Sequence, residues 1–328
     1  MTTPILTSTG SQAPRLDKQA DASRRFLNYY QGKRVLVTGG SGFLGTQLIR
    51  LLAQVDCEIV CLRRERGNAF PWQNSLEEID VVFHLAAQTS VATAAKNPPA
   101  DFESNVRPLL QLAEVASENH WCPAVIFAGT VTEIGIPRRL PVNESYPDHP
   151  ITIYDIHKWM AEQYLKYYAR QRILRGATLR LANVYGPGPA SQSQDRGVLN
   201  QMIRRALKGE ILTLYGPGEQ LRDFLYVEDA SLAFLAAGTS IERINGRHFV
   251  IGTGKGHTLA EAFHLVADQV AQVTGRRVEV QKIQPSAPLL PIEERNFTAD
   301  SRSFSEITGW SPRTSLSEGI AKTIQALR

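Results

Sequence analysis

Along the first half of the chain, short unbroken apolar runs alternate with stretches of helical spacing. Residues 33–38 (Lys-Arg-Val-Leu-Val-Thr) form a β-branched run ending in glycines, which predicts a buried strand. Residues 46–54 are spaced as a helix, and 58–62 predict a second strand. Two more strands are expected at 80–85 (Asp-Val-Val-Phe-His-Leu) and 124–128 (Ala-Val-Ile-Phe-Ala). Helical spacing returns over 101–119 and 154–170, and 177–181 predicts another strand. Strands apolar on both faces, alternating with helices, indicate an α/β fold with a doubly wound parallel sheet. In such a fold the ligand crevice lies at the carboxyl ends of the strands.

After Arg180 the regularity changes. Residues 183–196 are rich in Gly, Pro, Ser and Gln and predict a loop; 198–207 are helical, and 212–222 hold another glycine turn. A strand at 248–251, a helix over 258–274, a strand over 277–283 and a Pro-rich loop to Pro291 follow. A last helix spans 315–327, where Ser315 and Glu318 fit a capping box. The expected organisation is an N-terminal tail (1–31), a dinucleotide-binding domain (32–185, with about 223–253 returning to it) and a smaller C-terminal α/β substrate domain (186–222 and 254–328). Only about sixteen residues separate Arg64 from Asp80, whereas a full βαβ crossover needs about thirty. The third strand and its helix are therefore expected to be cut short or missing.

Composition narrows the class without naming it. The 328 residues are 43% apolar and 21% charged with a net charge of +4, ordinary for a soluble enzyme. No Lys/Arg run longer than two residues supports nucleic-acid recognition. No stretch is long and apolar enough to span a membrane. The first 31 residues lack an apolar signal core, although 20–30 have helix-like spacing that could pack on the body. Cys57, Cys61 and Cys122 make neither a disulfide framework nor a metal site, and Cys57 and Cys61 read as buried free thiols. A cytoplasmic location is expected.

Three constellations carry chemistry. Gly39, Gly42 and Gly45, spaced G-x-x-G-x-x-G between a strand and a helix, permit a tight turn and offer free N–H groups to a pyrophosphate. The second strand runs into Arg63 and Arg64 where a carboxylate would bind a ribose 2′-OH; arginine suits a 2′-phosphate, so NAD or NADP is expected with a lean to NADP. Tyr154 and Lys158, four apart, share one helix face, and a neighbouring ammonium brings a phenol toward working range as an acid/base. Thr130 follows the strand 124–128, where a hydroxyl can bond the same substrate oxygen. Gly252-Thr-Gly-Lys-Gly256 lacks the spacing of a phosphate-binding loop and reads as a strand-to-helix connection.

With these residues the chain resembles the extended short-chain dehydrogenase/reductases, in the NAD-dependent epimerase/dehydratase group. His84-Leu-Ala-Ala-Gln88, Asn105-Val106, the run Leu179 to Gly188, the run Arg222 to Asp229 and Gly309-Trp-Ser-Pro312 resemble its signatures in order. The resemblance implies a Rossmann domain, a nucleotide-sugar substrate and a homodimer packed through four helices. It implies Tyr154 as acid/base, Lys158 also on the nicotinamide ribose, and Thr130 orienting the reacting hydroxyl. Phe43, Leu44, Leu85, Ala86, Ala87 and Asn105 would join the glycines on the cofactor. Asn183, Leu199, Tyr215, Arg222 and Arg295 would contact the substrate, although Arg222 and Asp223 could instead form a structural ion pair.

Departures narrow the reaction. Dehydratases resembling this family use Thr-Asp-Glu, whereas this chain has Thr130-Val131-Thr132, with Glu133 one position late and expected to be turned away. His157 replaces a usual small residue and is expected at an exposed helix position. Epimerisation at C4 of an NDP-hexose, with transient oxidation, and NADPH-dependent reduction of an NDP-4-keto-deoxysugar both remain open. A non-catalytic NAD(P)-sensing protein is the alternative from another class.

Overall fold

The computed structural model describes residues 24–64, 70–74, 78–189, 197–284 and 290–328. In chain order its strands are β1 (Arg34–Thr38), β2 (Glu58–Leu62), β3 (Val81–His84), β4 (Ala124–Thr130), β5 (Arg175–Leu181), β6 (Asn183–Tyr185), β7 (Leu212–Tyr215), β8 (Leu221–Tyr226), β9 (Arg247–Ile251), β10 (Gly256–Thr258) and β11 (Val280–Ile283). The helices are α1 (described over 24–28), α2 (Phe43–Leu52), α3 (Val91–Lys96), α4 (Pro98–Asn105), α5 (Arg107–Glu118), α6 (Ile153–Arg170), α7 (Val198–Leu207), α8 (Val227–Thr239), α9 (Ile241–Ile244), α10 (Leu259–Thr274), α11 (Pro291–Glu294), α12 (Arg302–Thr308) and α13 (Leu316–Leu327).

Six strands make one parallel sheet in the order β2-β1-β3-β4-β5-β9. Side chains alternate across it. Val35, Val37 and Phe83 enter a core with α2 and α8, while Leu36 and Val82 enter another with α5 and α6. The strand order reverses between β1 and β3, so a crevice opens where both strands end. Among the described residues no strand lies between β2 and β3 in sequence. A single 3-10 turn (Trp72–Asn74) stands there, as the short spacing requires. Phe26, Leu27 and Tyr30 are buried in the first core, and the Tyr30 hydroxyl donates to the Leu235 carbonyl at 2.8 Å. Residues 1–23 of the expected tail lie outside the described residues.

A second core joins α7, α10 and α13 to β7 and β8, with Leu199, Ile203, Leu214, Phe263, Val266 and Ile320 buried in it. Thr258 opens α10 with a full capping box, whereas Ser315 opens α13 with its hydroxyl accepting from the Glu318 N–H. Several elements differ from the sequence expectation. The helix over 101–119 is two, because Pro108 starts a new helix and has no N–H to continue the old one. Strand β6 occupies part of the expected loop, and β7 and β8 flank the glycine turn. Helix α8 is buried on nearly every side and so lacks the polar stripe that reveals a helix. Cys61 is exposed and Cys57 only half-buried, because β2 is the sheet edge and is covered less than an inner strand. No helix among the described residues is long and apolar enough to cross a membrane.

Candidate active site

The loop between β1 and α2 is made of backbone. Gly39 has φ +72°, and a Cβ there would come within 2.7 Å of the Ala86 nitrogen. A Cβ on Gly45 would overlap the Gly39 carbonyl oxygen, so the helix can approach the turn only with glycine at that position. Gly42 caps α2 without a side chain, and no acidic residue sits in the first turn. The first N–H groups of this helix, those of Phe43 and Leu44 among them, thus face the crevice with the positive end of the helix dipole. The Thr38 hydroxyl accepts from the Ala86 N–H at 3.1 Å, tying residues 85–87 to the loop.

Thr130 is the last residue of β4, and Tyr154 and Lys158 lie in the first turns of α6. All three are buried (9%, 5% and 2% exposed), so their polar groups act in a low dielectric. Lys158 Nζ stands 3.9 Å from the Phe127 ring centroid, which places the ammonium over the carboxyl half of β4. His84 stacks on the other neighbours of this region, with its ring 5.7 Å from Phe127 and its Nδ1 2.8 Å from the Thr38 hydroxyl. Burial, then the charges of Lys158 and Arg64, push the His84 imidazole down to about 3, which keeps it neutral. The Thr130 hydroxyl lies 2.9 Å from that of Thr132 and caps the 3-10 turn Val131–Ile134.

Behind the threonine sits a charge cluster that the sequence did not announce. Arg180 on β5 is fully buried and meets three carboxylates: Glu133 Oε2 (3.0 Å from Nε), Glu162 (2.7 and 2.8 Å) and Asp148 (2.5 and 3.0 Å). Lys166 adds a second cation at 2.5 Å from Glu162 and lies 2.7 Å from His248 Nδ1. Burial pushes His248 down to about 4. Arg180 holds the carboxyls of Asp148 and Glu162 below the usual range against the opposing effect of burial. Glu133 is raised well above it, by burial first and by Glu162 second. The legible signal was an arginine at an inner position of a strand, with Glu162 four residues past Lys158.

On the cofactor side, Arg63 is exposed directly after β2, while Arg64 is tied down. Arg64 donates to the Ser104 hydroxyl and carbonyl at 3.1 and 2.8 Å and lies over Phe70. Leu85, Ala86 and Ala87 line the crevice edge after β3, half-buried. Asn105 donates to Gln88 O and Asp101 Oδ1, both at 3.0 Å, and leaves its own buried Oδ1 without a partner among the described residues. His157 is not at an exposed position: its Nδ1 lies 2.7 Å from Oδ2 of buried Asp101, because α4 packs against α6 at that point.

The expected substrate residues fall in two groups. Arg222 makes no ion pair with Asp223. Its guanidinium donates to the carbonyls of Leu221 (2.9 Å), Glu293 and Arg295, and burial lowers it to about 10. Asp223 instead accepts from the N–H groups of Thr253 (2.8 Å), Gly254 and Ala299 (3.0 Å each), so the 252–256 loop spends its donors internally. Arg295 donates to Ile292 O at 2.6 Å, and its charge reaches Asp155 beside Tyr154. Asn183 has a buried Oδ1 without a partner among the described residues. Tyr215, 49% exposed, ends β7 at the far side, and the Leu199 side chain is consumed by the second core.

Comparison with known proteins agrees with this architecture. The NAD dependent epimerase/dehydratase family matches residues 35–252. UDP-glucose 4-epimerase of Mycolicibacterium smegmatis is 30% identical over 90% of this chain and 98% of its own. UDP-glucose 4-epimerase of Thermotoga maritima, solved with UDP-glucose, superposes with a TM-score of 0.79 at 30% identity, covering 90% of this chain and 99% of that one. The Thermus thermophilus UDP-glucose 4-epimerase complex with NAD gives 0.75 at 29% identity, with 90% and 99% covered. Sheet order, glycine loop and extent of match agree: the chain belongs to the NAD dependent epimerase/dehydratase family and is an enzyme of that class.

Proposed function

We propose that this enzyme is an NAD(P)-dependent nucleotide-sugar epimerase that oxidises and re-reduces C4 of an NDP-hexose. The observation that carries this is the burial of Thr130, Tyr154 and Lys158 together at the carboxyl end of β4, two strands across the parallel sheet from β1 and its glycine turn. The nicotinamide cofactor, when bound, supplies the hydride acceptor and donor. Gly39, Gly42 and Gly45 admit its pyrophosphate, with Phe43, Leu44, residues 85–87 and Asn105 around it. Tyr154 takes the proton of the C4 hydroxyl as the hydride leaves C4, and returns it to the oxygen when the hydride comes back to the other face. Lys158 stabilises the phenolate in between, and Thr130 hydrogen-bonds the same oxygen.

Substrate would be held by residues 186–222 and 254–328 acting as a substrate domain. Arg222 has no carboxylate partner within ion-pair distance among the described residues, which suits a diphosphate, with Arg295 as a second contact. Asn183 would use its unpartnered oxygen, Tyr215 would flank the base, and Leu199 could contribute only its main chain. The relatives named above act on UDP-glucose, and UDP-glucose is therefore the first probe. A homodimer through α5 and α6 fits the exposed Ile156 and Tyr167 on α6.

A second reading, reduction of an NDP-4-keto-deoxysugar by NADPH, is favoured by one observation: Arg63 is exposed where a ribose-binding carboxylate would stand. The decisive experiment combines cofactor release and turnover of the purified protein. Epimer interconversion of UDP-glucose on retained NAD⁺ is expected, whereas stoichiometric NADPH consumption by a 4-keto sugar would select reduction. Tyr154→Phe should lower turnover ~10²–10⁴-fold with cofactor affinity retained. Wild-type turnover in that variant would overturn both readings.

A further inference from the structure

Glu133 is fully buried, sits three residues past Thr130 and takes no direct part in the chemistry above. Its Oε1 accepts the Thr130 N–H at 2.9 Å, while the Thr130 side chain accepts from the turn below, closing a capping box around the threonine. Its Oε2 stands 3.0 Å from Nε of Arg180, and Arg180 also binds Glu162 on α6, one turn past Lys158. Oε1 is hydrogen-bonded, whereas Oε2 is held by the charge of Arg180 alone, whose Nε hydrogen goes to Glu162. Burial and Glu162 favour the protonated acid, and Arg180, the Thr130 N–H and Lys158 oppose them. The result is a chain of contacts from Thr130 through Glu133, Arg180 and Glu162 to the helix that carries Tyr154 and Lys158.

We propose that Glu133 is a positioning residue for this reaction, holding Thr130 in register with Tyr154 and opposing the charge of Lys158. It rests on the assignment of Thr130, Tyr154 and Lys158 to hydride-transfer chemistry. Every charged neighbour has a defined direction. Glu162 repels Glu133, Arg180 and Lys158 attract it, and Asp148, Lys166 and His248 act on it through the shared cluster. When ionised, Glu133 stabilises the Lys158 ammonium and disfavours a phenolate on Tyr154. The carboxylate thus trades some acid/base tuning for a fixed threonine.

Glu133→Gln keeps an oxygen for the Thr130 N–H and removes the charge. Tyr154 ionisation is read, with NAD⁺ bound and no sugar present, as the phenolate absorbance of each protein minus that of its Tyr154→Phe counterpart. Removing Glu133 should move this titration to lower pH by about half a unit or more. With UDP-glucose as probe, kcat should fall ~10-fold with KM and NAD⁺ affinity held within about two-fold. In a Thr130→Val background the same substitution should lower kcat by clearly less than ~10-fold, since the part exerted through the Thr130 hydroxyl is already gone and only the charge effect on Tyr154 remains. An unshifted Tyr154 titration, or effects that simply add in the double variant, would overturn the proposal. Should Glu133→Gln fail to fold, the same titration in Glu133→Asp, which keeps the charge and shortens the reach, must stay within a few tenths of a unit of wild type. A larger shift in that variant overturns it. Wild-type turnover in Tyr154→Phe would instead refute the underlying assignment, so the two failures are separable.

Discussion

The loop proposed to hold the cofactor and the residues proposed to hold the substrate are built by opposite means. Between β1 and α2 the crevice is formed by consecutive residues, and its selectivity comes from what is missing: side chains at Gly39, Gly42 and Gly45. The proposed substrate residues come from distant parts of the chain: Asn183 on β6 lies beside β8, which carries Arg222, and the Arg222 guanidinium donates to the Arg295 carbonyl after α11. A Cβ at Gly39 or Gly45 would strike backbone, whereas the proposed substrate residues act through a few polar side-chain atoms. A binding site made of backbone fails by collision; one made of side chains fails by lost affinity.

The sharpest way to break that contrast is Gly45→Ala. Its Cβ would collide with backbone atoms of Gly39 and Gly40 that have no room to rotate away. Overpacking of this kind costs ~1–3 kcal/mol or more, so both melting temperature and NAD(P)H affinity should fall together. Cofactor titration by fluorescence alongside thermal unfolding checks it. An alanine variant that binds cofactor like the wild type would mean that the loop opens more readily than its contacts indicate.

The same contrast explains how much of the molecule was legible beforehand. The sheet, the shortened connection from β2 to β3 and the glycine loop follow from local signals: β-branched runs, sixteen residues of spacing, glycines at a strand end. Tyr154 and Lys158 were visible because helix geometry fixes residues four apart on one face. The Arg180 cluster was not, since Glu133, Asp148, Glu162 and Arg180 are joined only by tertiary packing. His157 was misplaced for the same reason: Asp101, its partner, lies 56 residues away on another helix. Helix α8 hid by being buried all round.

The proposed substrate residues should respond differently from the loop. Arg222→Gln removes the charge and, with one amide NH2 on a shorter side chain, cannot serve all three carbonyls of Leu221, Glu293 and Arg295. Charge-assisted hydrogen bonds contribute ~1.5–3 kcal/mol, so KM for UDP-glucose should rise ~10-fold or more. Cofactor affinity should not change, and the melting temperature should move by only a few degrees. Steady-state kinetics with separate cofactor titration reads both. A parallel loss of cofactor affinity would show that these residues and the loop are not independent sites.

Arg63→Ser carries the smallest effect and tests the loop at its edge. Of the two arginines after β2, Arg64 is committed to Ser104 and Phe70, which leaves Arg63 exposed and able to meet a 2′-phosphate. An exposed arginine acts in high dielectric, so its contribution should fall below the charge-assisted range, at about 1 kcal/mol. NADP(H) affinity should therefore fall ~5-fold while NAD(H) affinity holds, and the difference should shrink as salt screens the pair. Equal losses for both cofactors would place Arg63 on the shared part of the dinucleotide. An unchanged ratio would mean that selectivity resides elsewhere along the crevice, with Arg64 first to be tested because its guanidinium would have to leave Ser104 to reach a phosphate.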